Sequence, residues 1–170
     1  NRTLCTEAEK IRSDNTARSP ETWRESLLEA ANSFDQIPNA PSPFNRQQVL
    51  HGDLSPGNVL FTDDGAVFLD FEDMTITCAP IALDVASVVL RFCRFDTRSR
   101  YEIDAAATVE AYLGQADDID WLPAWMKRIV HRNMLVLSTA LRSGVPLDAT
   151  LTREWDKFTR LHHAIENVQE

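Results

Sequence analysis

Apolar positions along this chain keep two different periods. After Ser19-Pro20-Glu21, the residues Trp23, Leu27, Ala30, Ala31 and Phe34 recur on one helical face. The pattern predicts a helix with Ser19 as N-cap, Pro20 in its first turn and that face buried. Three prolines between Ile37 and Gln47 erase the period and predict a connecting loop. At Val49-Leu50 the spacing turns strand-like, and it does so again at Val59-Leu60-Phe61 and Val67-Phe68-Leu69, with Asp63-Asp64-Gly65 between the last two. This reads as strand, loop and hairpin. Beyond the hairpin the pattern is helical to the end, with helices expected near Ile81–Phe95, Arg100–Leu113, Asp120–Ser143 and Ala149–Val168. Gly114 and Gly144 are placed to stop the second and third of these in the left-handed conformation. The fold class is therefore α+β, mainly helical, in a single domain over residues 1–170, with no internal repeat.

The hairpin assembles candidate chemistry. A three-residue loop at Asp63-Asp64-Gly65 would pair Thr62 with Ala66 and, counting outward, Val59 with Leu69, which sets Asn58 opposite Asp70. Opposed residues have Cβ atoms about 4.5–5.5 Å apart, so a carboxamide oxygen and a carboxylate there could share one hard cation. Magnesium suits one or two such oxygens together with substrate phosphates. Asp53 lies five residues before Asn58, in a loop stiffened by Pro56 and loosened by Gly52 and Gly57, and is placed to accept a proton beside that cation. Taken singly, such residues are ordinary turn formers and caps. Their joint occurrence, with a strand before and a hairpin between, is what points to a site.

Composition narrows the partners. With 44% hydrophobic and 25% charged residues the chain is an ordinary globular one, and no apolar run approaches the roughly 18 residues of a membrane span. A net charge of −9 argues against a nucleic-acid partner, whose phosphates call for clustered Lys and Arg. Cys5, Cys78 and Cys93 are odd in number and widely spaced, which indicates neither a disulfide framework nor a zinc motif and fits a cytoplasmic protein. Asn1–Lys10 is polar, unlike a signal peptide, and the absence of an initial methionine suggests a fragment or a processed product.

The motif His51-x-Asp53-x-x-x-x-Asn58, followed by Leu69-Asp70-Phe71-Glu72-Asp73 and by Leu83-Asp84-Val85-Ala86, resembles the aminoglycoside phosphotransferase and choline kinase family. The resemblance is tight from Val49 to Ala86. It implies a protein-kinase-like C-lobe whose short hairpin carries the catalytic and metal residues. By the same resemblance Asp53 is the catalytic base or orienter of an acceptor hydroxyl, and Asn58 and Asp70 hold Mg2+ against the phosphates of ATP. His51 and Asp84 become structural supports of the catalytic loop. Glu72 and Asp73 are family-like without an assigned role. Asp117, Asp118 and Asp120 with Trp121 and Trp125 read either as a wall for an aminated small-molecule acceptor or as a helix cap and its core face.

The family's N-terminal lobe grips ATP with a glycine-bearing hairpin and a strand lysine, and residues 1–170 display neither. Lys10, Lys127 and Lys157, the only lysines, all lie in helix-like or polar surroundings. The expectation is a catalytic, acceptor-binding lobe that needs a nucleotide lobe as its partner and is inactive alone. Two alternatives stand beside it: a non-catalytic binding module derived from a kinase, and a two-metal phosphoesterase. The second would need more metal ligands than His131, His162 and His163 provide at their spacing.

Overall fold

The computed structural model describes residues 2–13, 19–34, 47–71, 78–95, 97–114 and 119–169. They divide between two compact units, Asn1–Ala40 with Lys127–Glu166, and Pro41–Met126 with Asn167–Glu170. Helices dominate both. No helix among the described residues is long and apolar enough to cross a membrane.

The first unit contains α1 (Arg2–Arg12), α2 (Arg24–Phe34) and most of α5 (Leu122–Arg142) and α6 (Ala149–Gln169). Helix α1 has no counterpart in the sequence reading. It buries Ala8 and Ile11, and packs on α2. Its Glu7 is buried too, and the carboxylate is matched by Ser138 Oγ at 2.7 Å and Arg142 Nε at 2.6 Å. A buried charge is tolerated when it is paired in this way. Helix α2 buries Trp23, Leu27, Ala30 and Ala31 as the periodicity requires, where Trp23 belongs to a 3₁₀ turn over Glu21–Trp23 that precedes the helix proper. The cap differs from expectation. Ser19 Oγ has no hydrogen-bond partner, and Pro20 is the cap residue, its carbonyl accepting from Trp23 N at 2.9 Å. Trp23 stacks on Trp155 of α6, with centroids 4.1 Å apart and planes within 8°.

Glycine ends α5 as expected. Gly144 sits at φ 98, Gly144 N donates to Leu141 O and Val145 N to Ala140 O, which satisfies two of the last carbonyls. Asp148 Oδ1 then caps α6 by accepting from Thr150 N at 2.9 Å and Leu151 N at 2.8 Å.

The second unit holds two small antiparallel sheets. Strand β1 (Gln47–Val49) pairs with β4 (Cys78–Pro80) through Gln47–Pro80, Gln48–Ala79 and Val49–Cys78. Three residues cannot establish a period, so β4 was not foreseen. Of the predicted Pro-rich loop only Gln47 falls within the described residues. Strands β2 (Val59–Thr62) and β3 (Gly65–Phe68) make the expected hairpin in a different register: Thr62 pairs with Gly65, Phe61 with Ala66, Leu60 with Val67 and Val59 with Phe68. The turn is therefore Asp63-Asp64 alone. Gly65, at φ 127, is already in the ladder in a conformation that only glycine adopts readily. One residue fewer in the loop shifts every pair, so Asn58 meets Leu69, whose N–H donates to Asn58 O at 2.9 Å, and Asp70 lies one step past that position.

Helix α3 (Ala82–Phe92) follows, burying Ala82, Val85, Ala86, Val89 and Leu90, and packs on α4 (Arg98–Leu113). Thr97 caps α4 by accepting from Arg100 N, and Gly114 closes it at φ 74, as predicted. Trp121, Leu122, Trp125 and Met126 are buried. Of the two readings offered for Trp121 and Trp125, the core face is the one that holds.

Candidate functional site

All five residues singled out by the motifs lie in the second unit, and hydrogen bonds tie four of them together. Asp84 stands in the first turn of α3 and is buried. Its Oδ2 accepts from His51 N at 2.9 Å and its Oδ1 from Gly52 N at 3.2 Å. Burial pushes the Asp84 carboxyl above its ordinary range, against the opposing effect of these two N–H donors. One carboxylate thus fixes two consecutive peptides, and Gly52 turns the chain at φ 86.

His51 is buried and works as a strut. Nε2 donates to Leu69 O at 2.9 Å, so Nδ1 is the acceptor and takes the N–H of Asp53 at 3.4 Å. Its ring lies 4.8 Å from that of Phe71 and 6.4 Å from that of Phe68. The imidazole therefore couples the backbone of Asp53 to the residue that precedes Asp70.

Asp53 is half-buried and held from two sides. Asn58 Nδ2 donates to its Oδ2 at 3.0 Å and to its carbonyl at 2.9 Å, spanning the loop. Arg91 places a guanidinium nitrogen 2.6 Å from Oδ1. With Nδ2 committed to Asp53, the oxygen of the Asn58 carboxamide is the atom left for a cation. Asp70 is exposed and sits at φ 59, the one non-glycine residue with positive φ among those described. Aspartate tolerates the left-handed region better than most residues, yet the conformation is costly and points to a local requirement.

Arg91 was missed by sequence reasoning. A faint signal existed, since Arg91 follows Asp84 by seven residues and two helical turns return it to the same face of α3. Glu72, Asp73, Asp117 and Asp118 lie outside the described residues. Asp120 lines a cleft of about 510 Å³ with Arg98, Tyr101, Glu102 and Pro123, and none of His51, Asp53, Asn58, Asp70 and Asp84 belongs to its lining. Among the described residues, the one group of three or more His, Cys, Asp or Glu side chains close enough to share a metal is Glu29, His131 and His162, in the first unit. Among the described residues, no cluster of the kind a two-metal phosphoesterase requires surrounds Asp53.

No curated protein and no solved structure matches the chain. The model of the APH family, described as the phosphotransferase enzyme family, matches residues 3–127, nearly three quarters of the sequence and the whole stretch from β1 through α4. The loop gripped by Asp84, the aspartate held between Asn58 and Arg91, and this match agree: the chain belongs to the phosphotransferase enzyme family.

Proposed function

We propose that these residues form the kinase-like C-lobe of an ATP-dependent small-molecule kinase, which moves the γ-phosphoryl group to a hydroxyl of an acceptor of the aminoglycoside or choline type. The observation that carries the reading is the Asp53 carboxylate, oriented at both oxygens yet partly open to solvent. A carboxylate so placed can accept the acceptor's O–H proton while the new O–P bond forms and the bond from γ-phosphorus to the bridging oxygen breaks, releasing ADP. Asn58 and Arg91 limit its motion, and restricted geometry is what lets such a group contribute in the transition state.

The donor set fits magnesium. Asn58 offers a carboxamide oxygen and Asp70 a carboxylate, both hard ligands. When bound, the ion would neutralise phosphate charge. His51 would keep Asp70 in place through Leu69.

A nucleotide-holding lobe is proposed as the partner, supplied by polypeptide outside residues 1–170. The hairpin supports this. Leu60, Phe61, Val67 and Phe68 are each about half exposed or more, from 45% to 73%, so apolar side chains stand in solvent beside the proposed metal ligands. Such a surface is a natural seat for a second body. The test is ATP-dependent phosphorylation across a panel of amino-alcohol, aminoglycoside and sugar acceptors, followed by phosphorus NMR of the product. Phosphoester formation that Asp53→Asn abolishes supports the reading, and an intact protein that binds acceptors without ever consuming ATP would favour a binding module instead.

A further inference from the structure

Three helices of the first unit bring together a cluster unrelated to the catalytic loop. Glu29 comes from α2, His131 from α5 and His162 from α6, and one ligand-capable atom of each lies within 4.8 Å of the others. Glu29 Oε2 is 3.1 Å from His162 Nε2, and Glu166 Oε1 is 3.4 Å from the same nitrogen. The two imidazoles are 1% and 4% exposed, with ring centroids 5.2 Å apart.

Hydrogen bonding points to the free nitrogen of His131. Ser33 Oγ lies 2.9 Å from Glu29 O, a turn back along α2, and 2.5 Å from His131 Nδ1. Both contacts are hydrogen bonds when the hydroxyl donates to Glu29 O and accepts from Nδ1–H. A neutral imidazole has a single ring proton, so with that proton on Nδ1 the Nε2 is a bare lone pair. It is buried and has no hydrogen-bond partner. A buried acceptor with no donor is unfavourable unless something else takes up the lone pair.

We propose that Glu29, His131 and His162 form a binding site for a zinc-class transition-metal ion, with Glu166 or water as fourth ligand. Two imidazole nitrogens and a carboxylate suit zinc and its neighbours far better than magnesium or calcium. The surroundings have the outer layer that such sites use to orient their ligands. Ser33 fixes the His131 tautomer, and Lys127 Nζ holds the other oxygen of Glu29, Oε1, at 3.2 Å and Glu166 Oε1 at 3.1 Å. His163 faces Glu166 Oε2 at 3.7 Å. The Lys127 ammonium competes with a cation for these carboxylates and so sets the affinity. An ion held there would staple α2, α5 and α6.

The experiment is a titration of zinc into the chelator-stripped, intact protein at pH 7 by calorimetry, repeated with cobalt to read visible ligand-field bands. One ion per chain is expected, with a rise in melting temperature. Glu29→Gln and His131→Gln should each weaken binding at least tenfold, and Lys127→Gln should tighten it. Far-UV circular dichroism verifies that the variants are folded; Glu29 is 44% exposed, so its replacement is the safer of the two. Wild-type protein that takes up no zinc, or uptake that folded Glu29→Gln leaves unchanged, would overturn the proposal.

Discussion

Arg91 donates to Oδ1 of Asp53 across 2.6 Å, while the opposite carboxylate oxygen takes the Asn58 amide at 3.0 Å. Orientation of this aspartate therefore depends on one neighbour in its own loop and one contributed by helix α3. The two neighbours differ in what their removal should do.

Asp53→Asn keeps the volume and can keep the Asn58 contact, but it removes the proposed proton acceptor. Turnover should fall by about 10²–10⁴-fold with the fold intact. Steady-state kinetics on the complete enzyme measure this, and near-normal turnover in a folded variant would remove Asp53 from its role.

Arg91→Met leaves the acceptor in place and frees its carboxylate to rotate. The expected loss is smaller, about 10–10²-fold in kcat, with acceptor KM nearly unchanged, because a misplacement of about 1 Å costs on that order. Arg91→Lys should restore part of the rate by returning the charge without the planar fork. An equal loss from Met and Lys would argue that Arg91 acts by packing.

How much of this was legible in advance follows the range of each interaction. Asp53, Asn58 and the preceding His51 lie within one short loop, so their proximity, though not the hydrogen bonds between them, could be read from their order in sequence. Asp84 was found through the resemblance, and its grip on two backbone N–H groups is the physical content of that motif. The hairpin was foreseen but its register was not, because the outcome depended on whether Gly65 lay in the turn or in the ladder. Helix α1 was overlooked since Leu4, Ala8 and Ile11 form a short stripe in polar surroundings. Arg91 reaches Asp53 across 38 residues, and the Glu29–His131–His162 cluster joins three helices. Neither arrangement has a local signature.

Asp84 should reveal itself in pH-dependent stability. Its folded-state pKa is raised above the ordinary 3.8, chiefly by burial. The sign is that of any raised group: its stabilising contribution is complete below about pH 3.8 and is lost as pH rises through the folded value. Relative to Asp84→Asn, which cannot titrate, the wild type should therefore gain stability as pH falls from 7 towards 4. Urea unfolding of both proteins at several pH values measures the difference, and a flat difference would contradict it. Asp84→Ala should cost about 1–3 kcal/mol for each of the two N–H groups it orphans.

Residues 1–170 alone should show no useful turnover, even with ATP, magnesium and the right acceptor. Phosphoryl transfer rests on positioning and charge stabilisation, and nothing in this sequence supplies the glycine hairpin and lysine that would hold the α- and β-phosphates. Adding a nucleotide-holding lobe, in cis or as a second chain, should restore the reaction. Comparable rates with and without that lobe would show that this unit binds nucleotide by other means.

Asp70 allows backbone and chemistry to be separated. At φ 59 a residue with a Cβ is strained, whereas glycine reaches the same conformation freely. If Asp70 served only to shape the chain after β3, Asp70→Gly should be harmless, and by relieving the backbone it could stabilise the fold by up to about 1 kcal/mol. If the residue is there for its carboxylate, the same variant should be as stable as the wild type or more so and yet catalytically dead. Asp70→Asn refines the test, because asparagine also tolerates the left-handed region and retains an oxygen ligand while losing the charge. It should fold normally and require at least tenfold more magnesium for half-maximal turnover. Asp70→Ala loses both advantages and should be the least stable of the three. Denaturant unfolding and magnesium-dependent rates, measured on the same preparations, decide between the two accounts. A Gly variant that retains turnover would place the metal elsewhere and reduce Asp70 to a turn residue.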